Sequence, residues 1–336
     1  MAQAVYIKGF GYYAPERILN NAEISTMVDT SDEWIRTRTG IEQRRIVAPG
    51  QSCSDMLARA SLQALEASGV PPGEITHVIT GTVTGDDRFP ATATHLQERL
   101  GITGMAFDLQ AACSGFLYSL YVSQGILALE PGSKILVTAG EVASIILNWT
   151  DRDTCVLFGD GGGAAVLSAD DKAPDRNLPL TANARIEGLL CDADGKLGEL
   201  LYSHGGGSSR PHRLGDTIDA ESFTRMNGRE LFRHAVRNMS SICEKLLGQL
   251  GLKLKDIDLV IPHQANLRII SAVAERLGVP EEKLFINVQK YGNTSAGSIP
   301  IALGEAIEQG KIKPGMRVLL TTFGAGLTWG AAILKF

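Results

Sequence analysis

The chain lacks an excess of charge of either sign. Its 32 Lys and Arg face 37 Asp and Glu, for a net charge of −5, so no basic field favours nucleic acid. Cysteine is sparse: Cys53, Cys113, Cys155, Cys191 and Cys243 are scattered, odd in number and without a CxxC pair. That speaks against a disulfide scaffold or a metal site and for a reduced, cytoplasmic compartment. The start, Met1 to Phe10, has neither the basic n-region nor the apolar core of a signal peptide and reads as a first strand. No apolar run reaches the ~18–20 residues of a membrane span, so no membrane partner is expected. What remains is ordinary globular composition, 44% hydrophobic and 21% charged, over 336 residues, enough for two core-forming halves.

Glycine, by contrast, is plentiful at 37 residues and gathers beside apolar runs, which points to an enzyme rather than a scaffold. The chain also repeats itself weakly. Gly69–Ile79 resembles Gly251–Ile261, Gln97–Ile102 resembles Ala274–Val279, Ser133–Gly140 resembles Met316–Gly324, and Phe158–Leu167 resembles Phe323–Leu334. The order is kept, so two copies of one α/β unit are expected, over residues 1–175 and 176–336. Runs around His77, Ile135 and Val318 read as buried strands. Cys53–Ser68 and Arg229–Leu250 carry apolar residues at helical spacing, and Ser54 before Asp55 and Pro280 before Glu281 read as helix starts. Sheets covered by helices on both faces follow from the alternation. The Gly-, Ser- and His-rich stretch over residues 192–217 reads as a long loop between the halves.

Cys113 stands where a strand-like stretch gives way to helical spacing. A cysteine there faces unpaired N–H groups and the positive end of the helix dipole, which favour the nucleophilic thiolate. It also fits a small buried hydrophobe. His263 follows the apolar run Asp258–Pro262 and precedes a helix pattern, as a catalytic or an interior histidine would. Asn293 opens another helix from a Gly/Asn turn, where turn chemistry alone accounts for an Asn. All three sit at strand ends, where ligands bind in α/β sheets. The runs Gly159–Gly163 and Gly324–Gly326 do not match a phosphate loop and read as close backbone approaches at turns, the second able to present amides to an oxyanion.

Together, Ala112-Cys-Ser-Gly-Phe, Pro262-His-Gln-Ala-Asn-Leu-Arg-Ile-Ile, Gly292-Asn-Thr-Ser-Ala-Gly-Ser-Ile-Pro and Phe323-Gly-Ala-Gly-Leu-Thr-Trp-Gly resemble the β-ketoacyl-[acyl carrier protein] synthase III family, the initiating condensing enzymes of bacterial fatty-acid synthesis in the thiolase superfamily. The resemblance spans the chain from Thr30 to Phe336. It implies a thiolase-like fold of two pseudo-repeated halves in αβαβα layers, and a Cys113–His263–Asn293 triad. It further implies an oxyanion hole from the amides of Cys113 and Ala325, and coenzyme A contacts at Trp34, Arg38 and Arg152, with adenine between Trp34 and Arg152. Arg268 resembles a carrier-protein docking residue, and Phe89 one that crosses a homodimer interface to the partner's acyl pocket. Two departures stand out: Ala325 where many members have Gly, and Glu275 where a basic residue is frequent.

The implied reaction is transfer of a short acyl group from acyl-CoA to Cys113, then decarboxylative condensation with malonyl-carrier protein. No cofactor is expected beyond the coenzyme A of the substrate. The last cysteine is Cys243, so the second catalytic cysteine of degradative thiolases is missing, and Asn293 stands where elongating synthases have a second His. A specialised homologue handling unusual acyl groups in secondary metabolism, or an inactive binding protein of this fold, are the alternatives.

Overall fold

A computed structural model describes residues 3–336. Among them nine strands build one mixed sheet: β1 Tyr6–Tyr13, β2 His77–Gly81, β3 Met105–Leu109, β4 Lys134–Glu141, β5 Gly161–Ser168, β6 Thr181–Ala193, β7 Leu259–Pro262, β8 Arg317–Gly324 and β9 Thr328–Lys335. Their order is β7-β8-β9-β6-β1-β5-β4-β2-β3. β3, β2 and β4 run parallel, as do β7 and β8, and the other pairs are antiparallel. Every residue of β2 and β7 is buried, as the unbroken apolar runs of parallel strands require.

The sheet has two arms that mirror the sequence repeat. β1, β2, β4 and β5 correspond to β6, β7, β8 and β9, and an isolated parallel bridge from Val260 to Leu284 stands in the second arm where β3 stands in the first. The likeness of Gly69–Ile79 to Gly251–Ile261 has a structural counterpart: a one-turn 3-10 helix, Pro72–Glu74 or Leu254–Asp256, leads into β2 or β7.

Seven helices of eight or more residues stand among the described residues: α1 Asp32–Thr39, α2 Cys53–Ser68, α3 Thr92–Leu100, α4 Gly115–Leu129, α5 Gly228–Leu250, α6 Leu267–Leu277 and α7 Ser298–Glu308. α2 and α3 cover the first arm, and α5, with α6 against it, covers the second. α4 and α7 touch strands of both arms and form the middle layer, giving the thiolase-like αβαβα sandwich. The main core surrounds them, through Phe10, Phe116, Leu120, Ile299, Leu303 and Leu320. Burying such a side chain stabilises the fold by roughly 1.5–3 kcal/mol.

Several sequence expectations change here. The stretch Ala112–Leu129 is, by length and composition, apolar enough to cross a membrane, contrary to the reading that no run is. It is apolar nearly all round because α4 is packed between the two arms of the sheet. The cap of α2 is Ser52, which accepts from the Asp55 amide while the Asp55 carboxylate accepts from the Ser52 amide. Ser54 lies inside the helix and donates to Asp86. α5 starts one residue early, at Gly228, capped by Asn227. Beyond Pro280 there is only the 3-10 turn Glu281–Lys283. The loop over 192–217 does not join the arms. It lies between β6 and α5 and contains the 3-10 helix Gly195–Leu200, whereas the arms are joined by residues 169–180. Gly161–Gly163 belong to β5 rather than to a turn.

Candidate active site

Three chain turns build the site, two of them at strand ends; Asn293, expected at a strand end as well, instead follows the one-turn helix Val288–Tyr291. After β3 the backbone passes through the 3-10 turn Ala112–Ser114 and enters α4, placing Cys113 at the helix start. Ala112 has φ +45° and Ser295 φ +49°; among the described residues they alone combine positive φ with a side chain. Such backbone costs about 1–3 kcal/mol per residue, and the two turns that carry it pack against each other. His263 follows β7 directly, its amide donating to the Thr321 carbonyl on β8. Asn293 is pinned beside Phe158: its amide donates to the Leu157 carbonyl, and its carbonyl accepts from the Gly159 amide. Gly292 makes this possible, since at φ +64° a Cβ would stand 2.7 Å from the Leu157 oxygen.

Cys113, His263 and Asn293 thereby line one cavity of about 580 Å³. Burial pushes the Cys113 thiol up to about 12, against a hydrogen bond from Ser295 and with the buried Glu141 carboxyl adding to the rise. Burial thus works against the lowering expected from the helix start and favours the thiol. Burial likewise draws His263 down to about 3, so its imidazole is neutral. His263 Nδ1 lies 2.9 Å from Ser298 Oγ, which also accepts from the Gln264 amide at 2.7 Å. The Asn293 Oδ1 accepts from the Ser295 amide at 2.8 Å, leaving the carboxamide NH2 for the cavity. At the end of β8, a Cβ on Gly324 would meet the Cys113 nitrogen at 2.7 Å, so only glycine lets this strand approach. The next residue, Ala325, shares a second cavity with Cys113.

The two cavities leave Cys113 in different directions. The first opens between Arg38, Arg229, Arg233 and Arg268, the latter three exposed on α5 and α6. Beside Arg38, Trp34 carries two guanidinium groups, Arg152 at 4.8 Å and Arg38 at 5.4 Å from the ring centroid, though of these three residues only Arg38 lines the cavity. Arg152 also donates to the Asp29 carbonyl. The second cavity, about 1040 Å³, runs past Glu141, Ile146 and Leu147 to a rim that includes Phe89, which is 86% exposed. Phe89 is thus no intrachain core residue. Glu141 accepts from the Val83 and Thr84 amides and from the hydroxyls of Thr82 and Thr84, and burial raises it to about 7. Glu275 is exposed on α6.

The model of the 3-oxoacyl-[acyl-carrier-protein (ACP)] synthase III family matches residues 107–184, and that of its C-terminal part matches 247–336. The beta-ketoacyl-[acyl-carrier-protein] synthase III of Nitratidesulfovibrio vulgaris is 53% identical over the whole of both chains. The chain belongs to the β-ketoacyl-[acyl-carrier-protein] synthase III family. It is a condensing acyltransferase with the fold of that family. The solved synthase III of Aquifex aeolicus superposes with a TM-score of 0.88 at 43% identity, covering 99% of this chain and 100% of its own. The priming β-ketosynthase of the R1128 polyketide pathway is similar too, with a TM-score of 0.86 at 34% identity over 98% and 96% of the two chains.

Some site residues escaped the sequence reading. Arg229 and Arg233 stand one turn apart on α5, a spacing visible in the sequence, though not its direction toward the mouth. Ser295, Ser298 and Glu141 gave no signal, because a buried serine or acid acquires its role only from what folds against it.

Proposed function

We propose that the protein condenses a short acyl-CoA primer with malonyl-[acyl carrier protein] through an acyl-Cys113 intermediate. The Cys113 sulfur attacks the thioester carbonyl, the carbon–sulfur bond to coenzyme A breaks, and the thiol proton ends on the departing sulfur. The amides of Cys113 and Ala325 hold the tetrahedral oxyanion, each donor worth roughly 2.7–4 kcal/mol in the transition state. Malonyl-carrier protein follows. Loss of CO2 leaves an enolate whose oxygen accepts from His263 and Asn293, and its carbon attacks acyl-Cys113. The released Cys113 sulfur regains a proton, and β-ketoacyl-carrier protein departs.

One observation carries this reading: a thiol and two donors that stay uncharged, His263 and Asn293, converge on one cavity. A neutral imidazole suits a donor to an enolate, since an imidazolium would surrender its proton to it. Thioester chemistry suffices, with coenzyme A entering as part of the substrate. The test labels Cys113 with radioactive acetyl-CoA in wild type, His263→Ala and Asn293→Ala, and measures malonyl-carrier protein decarboxylation. All three proteins should take label, while decarboxylation falls by orders of magnitude in the variants. Lost labelling with decarboxylation preserved would reverse the roles.

The remaining assignments belong to the same proposal. Trp34, Arg38 and Arg152 bind coenzyme A, and because Arg152 now lies on Trp34 it swings out when adenine enters. Arg268, joined by Arg229 and Arg233, receives the acidic carrier protein. Residues 1–175 carry the nucleophile and 176–336 the two donors. The protein works as a cytoplasmic homodimer. β3 ends the sheet with a free edge, and Met105, Tyr121, Leu129 and Phe89 are exposed apolar residues among the described ones. An open edge flanked by apolar side chains favours pairing with a second copy. A two-fold contact there would exchange the Phe89 rings at the cavity rims.

A further inference from the structure

We infer that Ser298 is a positioning residue that sets the tautomer of His263, so that the imidazole presents Nε2–H to the cavity. The inference rests on the reading of His263 as an enolate donor, and it follows from counting donors and acceptors in a buried cluster. Ser298 is 2% exposed, and its Oγ has two neighbours within hydrogen-bond distance: the Gln264 amide nitrogen at 2.7 Å and His263 Nδ1 at 2.9 Å. The amide is a donor, so it occupies a lone pair of Oγ. The hydroxyl proton then has a single acceptor available, Nδ1.

With Nδ1 unprotonated, all three groups are satisfied and the ring proton sits on Nε2. In the other tautomer Nδ1–H would donate to Oγ, and the hydroxyl proton would be left buried without an acceptor. Leaving such a group unpaired disfavours that arrangement. Nε2 would then offer a lone pair to the enolate, which repels it. No carboxylate competes for Nδ1, and burial keeps the ring neutral, so a hydroxyl alone decides between the tautomers.

The same chain segment orients the second donor. The Ser295 amide holds Asn293 Oδ1, turning the NH2 the other way. Gln264 is fixed in turn: its carboxamide donates to the Pro262 and Phe285 carbonyls and accepts from the Asn287 and Val288 amides, so the amide that engages Ser298 has little freedom. Residues 293–298 therefore act as one clamp that pre-aligns both hydrogen-bond donors before malonyl arrives.

Nitrogen NMR of 15N-histidine-labelled protein tests this directly, with the His263 signal assigned by its loss in His263→Ala. Wild type should show protonated Nε2 and unprotonated Nδ1. Ser298→Ala should shift the signals toward the other tautomer and lower the ratio of decarboxylation to acylation rate at least tenfold. Ser298→Thr, which keeps the hydroxyl, should restore both. Protonated Nδ1 in wild type overturns the inference even if no Ser298 variant folds. So does a Ser298→Ala protein whose tautomer and rate ratio match wild type. Failure of the enolate reading shows separately, as decarboxylation that survives His263→Ala.

Discussion

Lowering the pH should destabilise this protein through His263 by a predictable amount. Its imidazole titrates near 6.5 when unfolded and near 3 in the fold, with burial as the cause. Between those values the unfolded chain takes up a proton that the native state refuses, so acid favours unfolding. At pH 5, about 1.5 units below the unfolded value, the penalty is about 2 kcal/mol at about 1.36 kcal/mol per unit. Other groups titrate in the same range. Glu141, raised from 4.5 to about 7, works in the opposite sense: the native state binds its proton first, and stability rises as pH falls through that window. The measurement is therefore a difference. Urea unfolding of wild type and His263→Gln at pH 7 and pH 5 isolates the histidine, and wild type should lose about 2 kcal/mol more than the variant. Equal losses would refute the reasoning, because they would mean that His263 takes up a proton in the folded state and is not held neutral.

Cys113→Ser should abolish acyl labelling by acetyl-CoA while the thermal midpoint stays close to wild type, since the two side chains are nearly isosteric; labelling at the wild-type rate would remove Cys113 as nucleophile. Gly324→Ala places a Cβ 2.7 Å from the Cys113 nitrogen and should displace the nucleophile, lowering acylation by about a hundredfold in single-turnover assays. Phe89→Ala should shift the preferred acyl-CoA primer toward longer chains, and sedimentation should find a dimer at micromolar concentration. A monomer, or an unchanged primer profile, would disprove the shared pocket.

Much of this architecture was legible because it follows from pattern. The repeat announced two equivalent arms, since the same alternation of buried run and helix must fold the same way twice. The three site turns were legible because Cys113, His263 and Asn293 sit in special local sequences, although only the first two lie at strand ends. What escaped was environment. The local sequence around Cys113 argues for a thiolate, but the charge state depends on how completely α4, β8 and the Asn293–Ser298 segment exclude water. Ser52 rather than Ser54 caps α2 because only Ser52 can exchange hydrogen bonds with Asp55. Ser298 has no local motif at all. Its meaning comes from His263, thirty-five positions away in sequence and one hydrogen bond away in space.

The two cavities that meet at Cys113 also constrain traffic. The arginine-lined mouth is the approach that suits an anionic thioester carrier, and on the proposed function both carriers use it. On the proposed function, the acyl group would be left on Cys113, reaching toward the Phe89-side cavity, before coenzyme A withdraws and the malonyl arm enters by the same mouth. Turnover thus becomes a strict alternation, with each thioester competing against the other for the form of the enzyme it does not use. In steady-state terms that is double-displacement kinetics: reciprocal plots at several fixed levels of the second substrate run parallel, and excess of either one slows the cycle by occupying the corridor out of turn.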